Sequence, residues 1–212
     1  MRPISFIWGN YTAAVANSIA LTQTPLAAGD LALAGALATG GIATLVLSGQ
    51  VTITSAGNDS GKTFTIYGTN NSGSIVSEAI TGGNAAAVTS VLSYKTITRI
   101  AVSAATAAAV TAGNAQSGNT DWIPLDIYNP NQVTNISATV TGTINYTVQY
   151  TNEDPFDYTI AQQVVSHPVA ALVAATTSQT AGATTTLMRA VRFKVNSGDG
   201  SARVTIVQQS TL

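Results

Sequence analysis

Ionised side chains are scarce in this sequence of 212 residues. Lysine and arginine number 8, aspartate and glutamate number 9, and together they make up 8% of the chain, against roughly 25% in typical soluble domains. Threonine, serine, asparagine, alanine and glycine take their place. Because a free cytosolic protein normally relies on charged residues for solubility, we expect a protein that packs against other subunits or acts outside a cell.

Cysteine is absent, and histidine occurs once, as His167. The lack of cysteine excludes disulfides, thiol catalysis and cysteine-ligated zinc. His167 stands beside Pro168 among valines and alanines, so the sequence offers neither a Ser-His-Asp constellation nor a set of zinc ligands. Eight scattered cations and a net charge of −1 do not supply the clustered charge that binds phosphates. We expect no enzymatic activity, no cofactor or metal, and no nucleic-acid partner.

Long apolar runs are rare as well. Near the N-terminus Arg2 is the only basic residue, and polar residues interrupt the apolar ones, so no signal peptide is predicted. Residues 26–47 are apolar over about 20 positions, the length of a membrane span. They include Asp30 and four glycines, however, and have no basic flanks. We predict a loop followed by a buried strand, and no membrane partner.

Alternation of apolar and polar residues, which is typical of half-buried strands, recurs along the chain. Residues with turn chemistry separate the runs, among them Asn58–Gly61 and Thr69–Gly73. The gaps at Thr141-Gly142 and Asn196–Gly200 predict two hairpins. Residues 176–186 predict a projecting loop, and Ala170–Ala175 is compatible with a helical turn or a strand. The predicted strands are Val51–Thr54, Phe64–Tyr67, Ile75–Ile80, Ile97–Val102, Val133–Val140, Ile144–Tyr150, Ala190–Val195 and Ala202–Val207.

These patterns predict an all-β fold of two small antiparallel β-sandwich or barrel-like domains with an extended N-terminal arm. The arm comprises residues 1–28, the first β-domain residues 29–118 and the second residues 119–212, with the boundary in the turn-rich stretch 113–121. Large apolar side chains on an arm are costly in water, so they either pack on another subunit or cover the chain's own first domain. The arm residues concerned are Phe6, Ile7, Trp8 and Tyr11.

Two motifs carry candidate chemistry. Gly57–Thr63 resembles a phosphate-binding loop, but it has three residues between its glycines instead of four and precedes a strand pattern instead of a helix. We predict a hairpin turn there. Glu153–Asp157 holds three carboxylates, a residue type that serves glycoside hydrolysis and Ca²⁺ binding. A solvated turn is the favoured interpretation, while a Ca²⁺ site and an acidic contact for a partner remain open.

Half of the basic residues fall near the last two predicted strands, at Arg189, Arg192, Lys194 and Arg203. Arg192 and Lys194 alternate with apolar residues, so both should face the same side, with Arg203 across from them. Such a face either discourages edge pairing or contacts an acidic neighbour.

Several stretches are similar to segments of tailed-bacteriophage virion proteins. The similarity runs over roughly residues 30–157 and implies a virion setting, with no catalytic residues to transfer. The stretches are Ile53–Thr69 (ITSAGNDSGKTFTIYGT), Ile75–Gly82, Tyr94–Val102, Trp122–Asp126 and Gly142–Tyr150.

We therefore expect a structural virion protein of the capsid decoration, or cement, type. It would bind the major capsid protein on the capsid surface as a homotrimer and reinforce the lattice. One alternative is a tail, neck or fibre component with a host-attachment role. Another is a carbohydrate-binding or carbohydrate-active β-sandwich that uses Glu153, Asp154 or Asp157.

Overall fold

The computed structural model describes residues 3–128, 133–157 and 164–209, and these are almost entirely β-structure. The predicted all-β class is confirmed. The strands in the first half are β1 Ile4–Gly9, β2 Val15–Gln23, β3 Gly29–Asp30, β4 Ala38–Thr39, β5 Ile42–Gly49, β6 Val51–Ser55, β7 Thr63–Thr69, β8 Ile75–Thr81, β9 Ala87–Thr89, β10 Tyr94–Val102 and β11 Val110–Asn114. Those in the second half are β12 Gly118–Asn119, β13 Ile123–Pro124, β14 Thr134–Thr141, β15 Ile144–Thr151, β16 His167–Pro168, β17 Gln179–Thr184, β18 Ala190–Gly198 and β19 Ser201–Gln208.

The strands form two compact units. The continuous unit is Ala13–Gly118, and the discontinuous unit joins the residues up to Thr12 with those from Asn119 on. The division after Gly118 falls where the sequence placed the end of the first domain. The prediction of an arm over residues 1–28 is wrong, because β1 belongs to a sheet of the discontinuous unit and β2 to a sheet of the continuous unit.

The continuous unit is a sandwich of two antiparallel sheets. One has the order β4-β5-β10-β7-β8, with β3 also pairing β10, and the other the order β2-β11-β6-β9. Alternation along the strands turns one face of each sheet inward. Phe64 and Ile97 of the first sheet share a single buried cluster with Ile19 and Ile53 of the second. Burial of these side chains holds the two sheets together.

One of the two turns predicted in this unit is a hairpin turn and the other is not. β7 and β8 pair in continuous register from Thr63 opposite Thr81 to Thr69 opposite Ile75. The loop between them closes with a hydrogen bond from Asn70 N to Ser74 O of 2.9 Å. The hairpin predicted at Gly57–Thr63 is wrong, because β6 and β7 lie in different sheets. This segment carries the chain from one layer of the sandwich to the other.

The discontinuous unit also contains two antiparallel sheets. One has the order β1-β19-β14-β17, and the other the order β12-β18-β15-β16, with β13 also pairing β18. Their buried residues alternate with exposed or half-buried ones, as Val204 and Ile206 do in β19 and Phe193 and Val195 do in β18. The Tyr146 and Phe193 rings stack with centroids 5.1 Å apart.

Both hairpins predicted in this unit are wrong in the same way. β14 pairs with β19 and β15 with β18, so each short link crosses between sheets. The two links pack against each other, with a hydrogen bond from Gly200 N to Thr143 O of 2.7 Å. Gly198 has φ +106°, and a Cβ there would lie 2.4 Å from the Thr143 oxygen. Glycine is therefore required for close packing of the links as well as for the turn itself.

The long segment before β18 is more ordered than the sequence indicated. The projecting loop predicted over residues 176–186 is wrong, since Gln179–Thr184 forms edge strand β17 beside β14. Ala170–Leu172 is a single 3-10 turn, which agrees with the helical alternative. In the first half, residues 26–47 hold β3, β4 and most of β5. None of the helices in the described ranges has the length and apolar character of a membrane span.

Candidate interaction surfaces

The aromatic residues assigned to the arm form part of the discontinuous unit. β1 runs antiparallel to β19 from Ile4 opposite Ile206 to Gly9 opposite Ser201. Phe6 lies opposite the buried Val204, so its side chain faces inward and is half-buried. Trp8 is also half-buried and donates a hydrogen bond from Nε1 to the Tyr11 hydroxyl at 3.0 Å. Burial raises the pKa of Tyr11 above its ordinary value. These residues are therefore built into a sheet of the discontinuous unit instead of an extended arm.

The outer face of this sheet is rich in hydroxyl groups and carries one cation, Arg203. Ser5 on β1 and Thr205 on β19 bring their hydroxyl oxygens within 3.3 Å of each other. In the next row the 68% exposed Ile7 lies opposite Arg203, which in turn lies opposite Thr139 of β14. Arg203 therefore belongs to a different sheet from Arg192 and Lys194, and its predicted position across from them is wrong.

Arg189 forms an ion pair with the acidic segment Glu153–Asp157. Its guanidinium pairs with the Asp154 carboxylate, which also accepts the Phe156 N–H at 3.0 Å. Glu153 accepts the Val165 N–H at 2.8 Å. Both carboxylates therefore bind groups of their own unit. No cluster of three or more potential metal ligands forms among the residues that the structure describes.

Arg192 and Lys194 do share the outer face of the second sheet, as their alternation predicted. Lys194 lies opposite Thr147 and Arg192 opposite Gln149 on β15. Arg192 donates a hydrogen bond from Nε to the Gln149 side-chain oxygen at 2.8 Å, and its guanidinium lies 4.6 Å from the ring centroid of Trp122. We call Trp122, Gln149, Arg192 and Lys194 the basic face.

The cations of the basic face are partly desolvated. Burial lowers the pKa of Arg192 to about 10, so the group is still charged at neutral pH. The pKa of Lys194 is lowered by burial and by the charge of Arg192. Neither cation has a carboxylate within ion-pair distance in the described ranges. Since a desolvated cation without a counter-ion is unfavourable, a carboxylate from outside would find two charge-assisted hydrogen-bond donors here.

Sequence reasoning found the two cations but missed their neighbours. Trp122 precedes β13 and Gln149 lies on β15, so both are distant from Arg192 in sequence and reach it through strand pairing. A period of two reveals which side chains share a face, but it does not reveal which strands are adjacent.

The loop that resembles a phosphate-binding loop has a structural role. Asp59 is fully buried, and its carboxylate accepts hydrogen bonds from Lys62 Nζ at 2.6 Å and Ala107 N at 2.8 Å. Burial opposes ionisation of Asp59, but the Lys62 ammonium and the Ala107 N–H outweigh it and lower the pKa below the ordinary value. The Asp59–Lys62 ion pair thus stabilises the link between the two sheets.

His167 occupies a minor structural position. It lies in the two-residue strand β16, opposite Tyr150 of β15, and its ring centroid is 5.4 Å from that of Tyr150. The side chain is exposed. The predicted role near a turn thus becomes a ring contact at the edge of a sheet.

A scan of the sequence against protein-family models finds no match. A search of curated proteins finds none with significant similarity.

Proposed function

We propose that this chain is a structural virion protein of a tailed bacteriophage that binds the outside of the capsid lattice and reinforces it. The observation that carries the proposal is how few charges remain for solvent. Charged residues are 8% of the sequence, and among them Asp59, Lys62, Asp154 and Arg189 pair within their own unit. The similarity to segments of phage virion proteins supports the same setting.

Such a protein would act by burying neutral surface against its neighbours. Threonine and serine hydroxyls both donate and accept hydrogen bonds, so outer faces such as the one around Thr205 can pair with backbone or side-chain groups of another subunit. This contact carries little desolvation cost compared with a charged surface. We propose a homotrimer in which each copy contacts the major capsid protein.

The basic face would orient that contact. Arg192 and Lys194 lie on one sheet face with the Trp122 ring, and the described residues leave both cations without a carboxylate. An aspartate or glutamate of the major capsid protein would complete the pairing. Electrostatic complementarity of this kind mainly fixes the partner and the docking register.

Purified particles test the location. The protein should be present in hundreds of copies per particle, and electron microscopy of particles that lack it should show the loss of outer density together with earlier heat-induced rupture. A dozen or fewer copies, with capsids unchanged and density missing from the tail, would refute the capsid assignment in favour of a tail component.

The basic face is tested by adding purified protein to capsids that lack it. We expect Arg192→Gln to weaken binding by at least about tenfold, because a desolvated charge pair loses one partner. Lys95→Gln is the control, since Lys95 is a cation of the continuous unit that contacts only the Val46 oxygen. Equal affinities of the two variants would refute the assignment of this face.

A further inference from the structure

The free edge of β1 is a regular, apolar strand edge. β1 is the first strand of the order β1-β19-β14-β17, and its register with β19 runs without a shift from Ile4 to Gly9. Its sequence, ISFIWG, contains neither a charged residue nor proline. On the side away from β19, no strand of the described ranges pairs with it. An edge of this kind presents unpaired N–H and C=O groups to another strand.

Of the other long edge strands, β2 is covered by its own chain and β8 carries a charged residue. The outer edge of β2 receives hydrogen bonds from Gly35 N to Ile19 O at 3.0 Å and from Leu37 N to Ser18 O at 2.7 Å. Beside β8, the Glu78 carboxylate accepts the N–H groups of two loop residues, Val91 and Leu92, at 2.8 Å each. Backbone hydrogen bonds therefore occupy part of the β2 edge, and the charge of Glu78 discourages pairing at β8.

The remaining edges are short or irregular. β4, β12 and β16 have two residues each and β9 has three. β17 is longer, but its register with β14 shifts between Asn135 and Ser137, and Gly182 within it has φ +69°. Irregularity and short length both discourage pairing with a new strand. Within the described residues, β1 alone combines length, regularity, an uncovered edge and the absence of charge.

We infer that β1 pairs edge to edge with β1 of a second copy of this chain, antiparallel across a twofold axis. A twofold contact requires a self-complementary surface, and this strand has no charge to repel its counterpart. With the axis at Phe6, Ile4 of one copy lies opposite Trp8 of the other. The half-buried inward side chains of both strands then cover one another. The inference does not depend on where in a virion the protein acts, and in the proposed homotrimer this twofold contact would join copies of two different trimers.

The first test is the self-association of the purified full chain, measured by sedimentation velocity from about 1 to about 100 µM, which covers dissociation constants typical of weak complexes. We expect a reversible association step, which Ile7→Lys weakens at least about tenfold because a charge on an edge strand opposes pairing. Ile75→Lys is the control, since Ile75 is exposed at the start of edge strand β8 and its substitution should leave the association unchanged. A wild type that stays monomeric throughout, or equal weakening by both substitutions, would overturn the inference.

Hydrogen exchange at low and high protein concentration locates the contact. Amides of residues 4–9 should become protected as the protein associates, while those of residues 179–184 should not. Protection of β17 together with β1 would indicate head-to-tail pairing between the two edges of the sheet and would overturn the twofold arrangement. Protection confined to the continuous unit would overturn it as well. A thermal melt of Ile7→Lys that matches the wild type excludes misfolding as the cause of weaker association.

Discussion

The two units of this protein treat their polar groups differently. In the continuous unit every charged side chain has a partner within the unit. Asp59 pairs with Lys62, Asp30 with Arg99, Lys95 donates to the Val46 oxygen, and Glu78 accepts two N–H groups. In the discontinuous unit Arg189 alone, of the four described cations, has a carboxylate partner among the described residues. Arg192 donates instead to the Gln149 side chain, and no described strand pairs with the outer edge of β1. The contrast teaches that one unit is self-contained, whereas the other leaves polar groups available for partners.

Substitutions of buried core residues should produce the largest difference between the two units in their free energies of unfolding. Phe64 in the continuous unit and Phe193 in the discontinuous unit are both fully buried. Replacing either by alanine should lower the free energy of unfolding of its own unit by about 3–5 kcal/mol, from lost burial and the cavity left behind.

The tryptophans make this prediction measurable. Both of them, Trp8 and Trp122, lie in the discontinuous unit, so fluorescence reports on that unit while circular dichroism reports on both. In urea titrations, Phe193→Ala should shift the fluorescence transition and Phe64→Ala should leave it unchanged. Equal shifts of the fluorescence transition by the two variants would show that the units unfold together.

The buried ion pair should give the next largest effect. Asp59→Asn leaves the Lys62 ammonium, which is 20% exposed, without its counter-charge. We expect a loss of about 2–3 kcal/mol in the continuous unit at pH 7, somewhat below the effect of breaking a fully buried pair. Circular dichroism during urea unfolding measures it. Lys95→Gln serves as the control, because Lys95 contacts only a backbone oxygen at the surface.

The same pair predicts the acid response. Folding lowers the pKa of Asp59 from its ordinary value of 3.8, so its contribution to stability is fully present above that pH and is lost as the pH falls further. The continuous unit of the wild type should therefore lose stability as the pH falls below about 4. Asp59→Asn should flatten this dependence. A variant that retains the full acid sensitivity of the wild type would show that other carboxylates cause it.

A glycine in a link between two sheets should tolerate replacement by alanine less well than a glycine in a hairpin turn. Gly198 and Gly73 both have positive φ, but a Cβ at Gly198 lies against the Thr143 oxygen whereas one at Gly73 meets open space. Gly73→Ala should cost about 1 kcal/mol from backbone strain alone. Gly198→Ala should cost about 2–3 kcal/mol because a contact is added to the strain. Comparable losses in thermal melts would argue against tight packing of the two links.

The smallest effect on stability is expected at the basic face. Arg192→Gln removes an unfavourably desolvated charge together with its contacts to Gln149 and Trp122. These two effects oppose each other, so the free energy of unfolding should change by no more than about 0.5 kcal/mol. Urea titration followed by fluorescence measures it, with Arg189→Gln as the comparison. A large loss of stability in Arg192→Gln would assign this arginine to the fold instead of to binding.

Much of the secondary structure could be predicted from alternation, but strand pairing could not. The strands around Ile144 and Ala202 were placed within a few residues, because burial of one sheet face fixes a period of two. Their partners were misassigned, because Thr141-Gly142 and Asn196–Gly200 have the turn chemistry of hairpins yet link different sheets. Glycine and asparagine permit a reversal of the chain without specifying the sheet that the chain then enters.

The candidate surfaces show the same difference between what local sequence determines and what strand pairing determines. The shared face of Arg192 and Lys194 follows from local alternation, which a single strand determines. The pairing of β1 with β19, and the approach of Trp122 to Arg192, depend on contacts between residues far apart in sequence. No local pattern encodes such pairings, and for this reason Phe6 and Trp8 were assigned to an arm.

Hydrogen exchange of the chain within purified particles, compared with the free chain, tests most directly whether the discontinuous unit faces the partners. We expect slower exchange in β1 and β18 on the particle, with β7 and β10 unchanged. Slowing confined to the continuous unit, or identical exchange in the two states, would contradict the account.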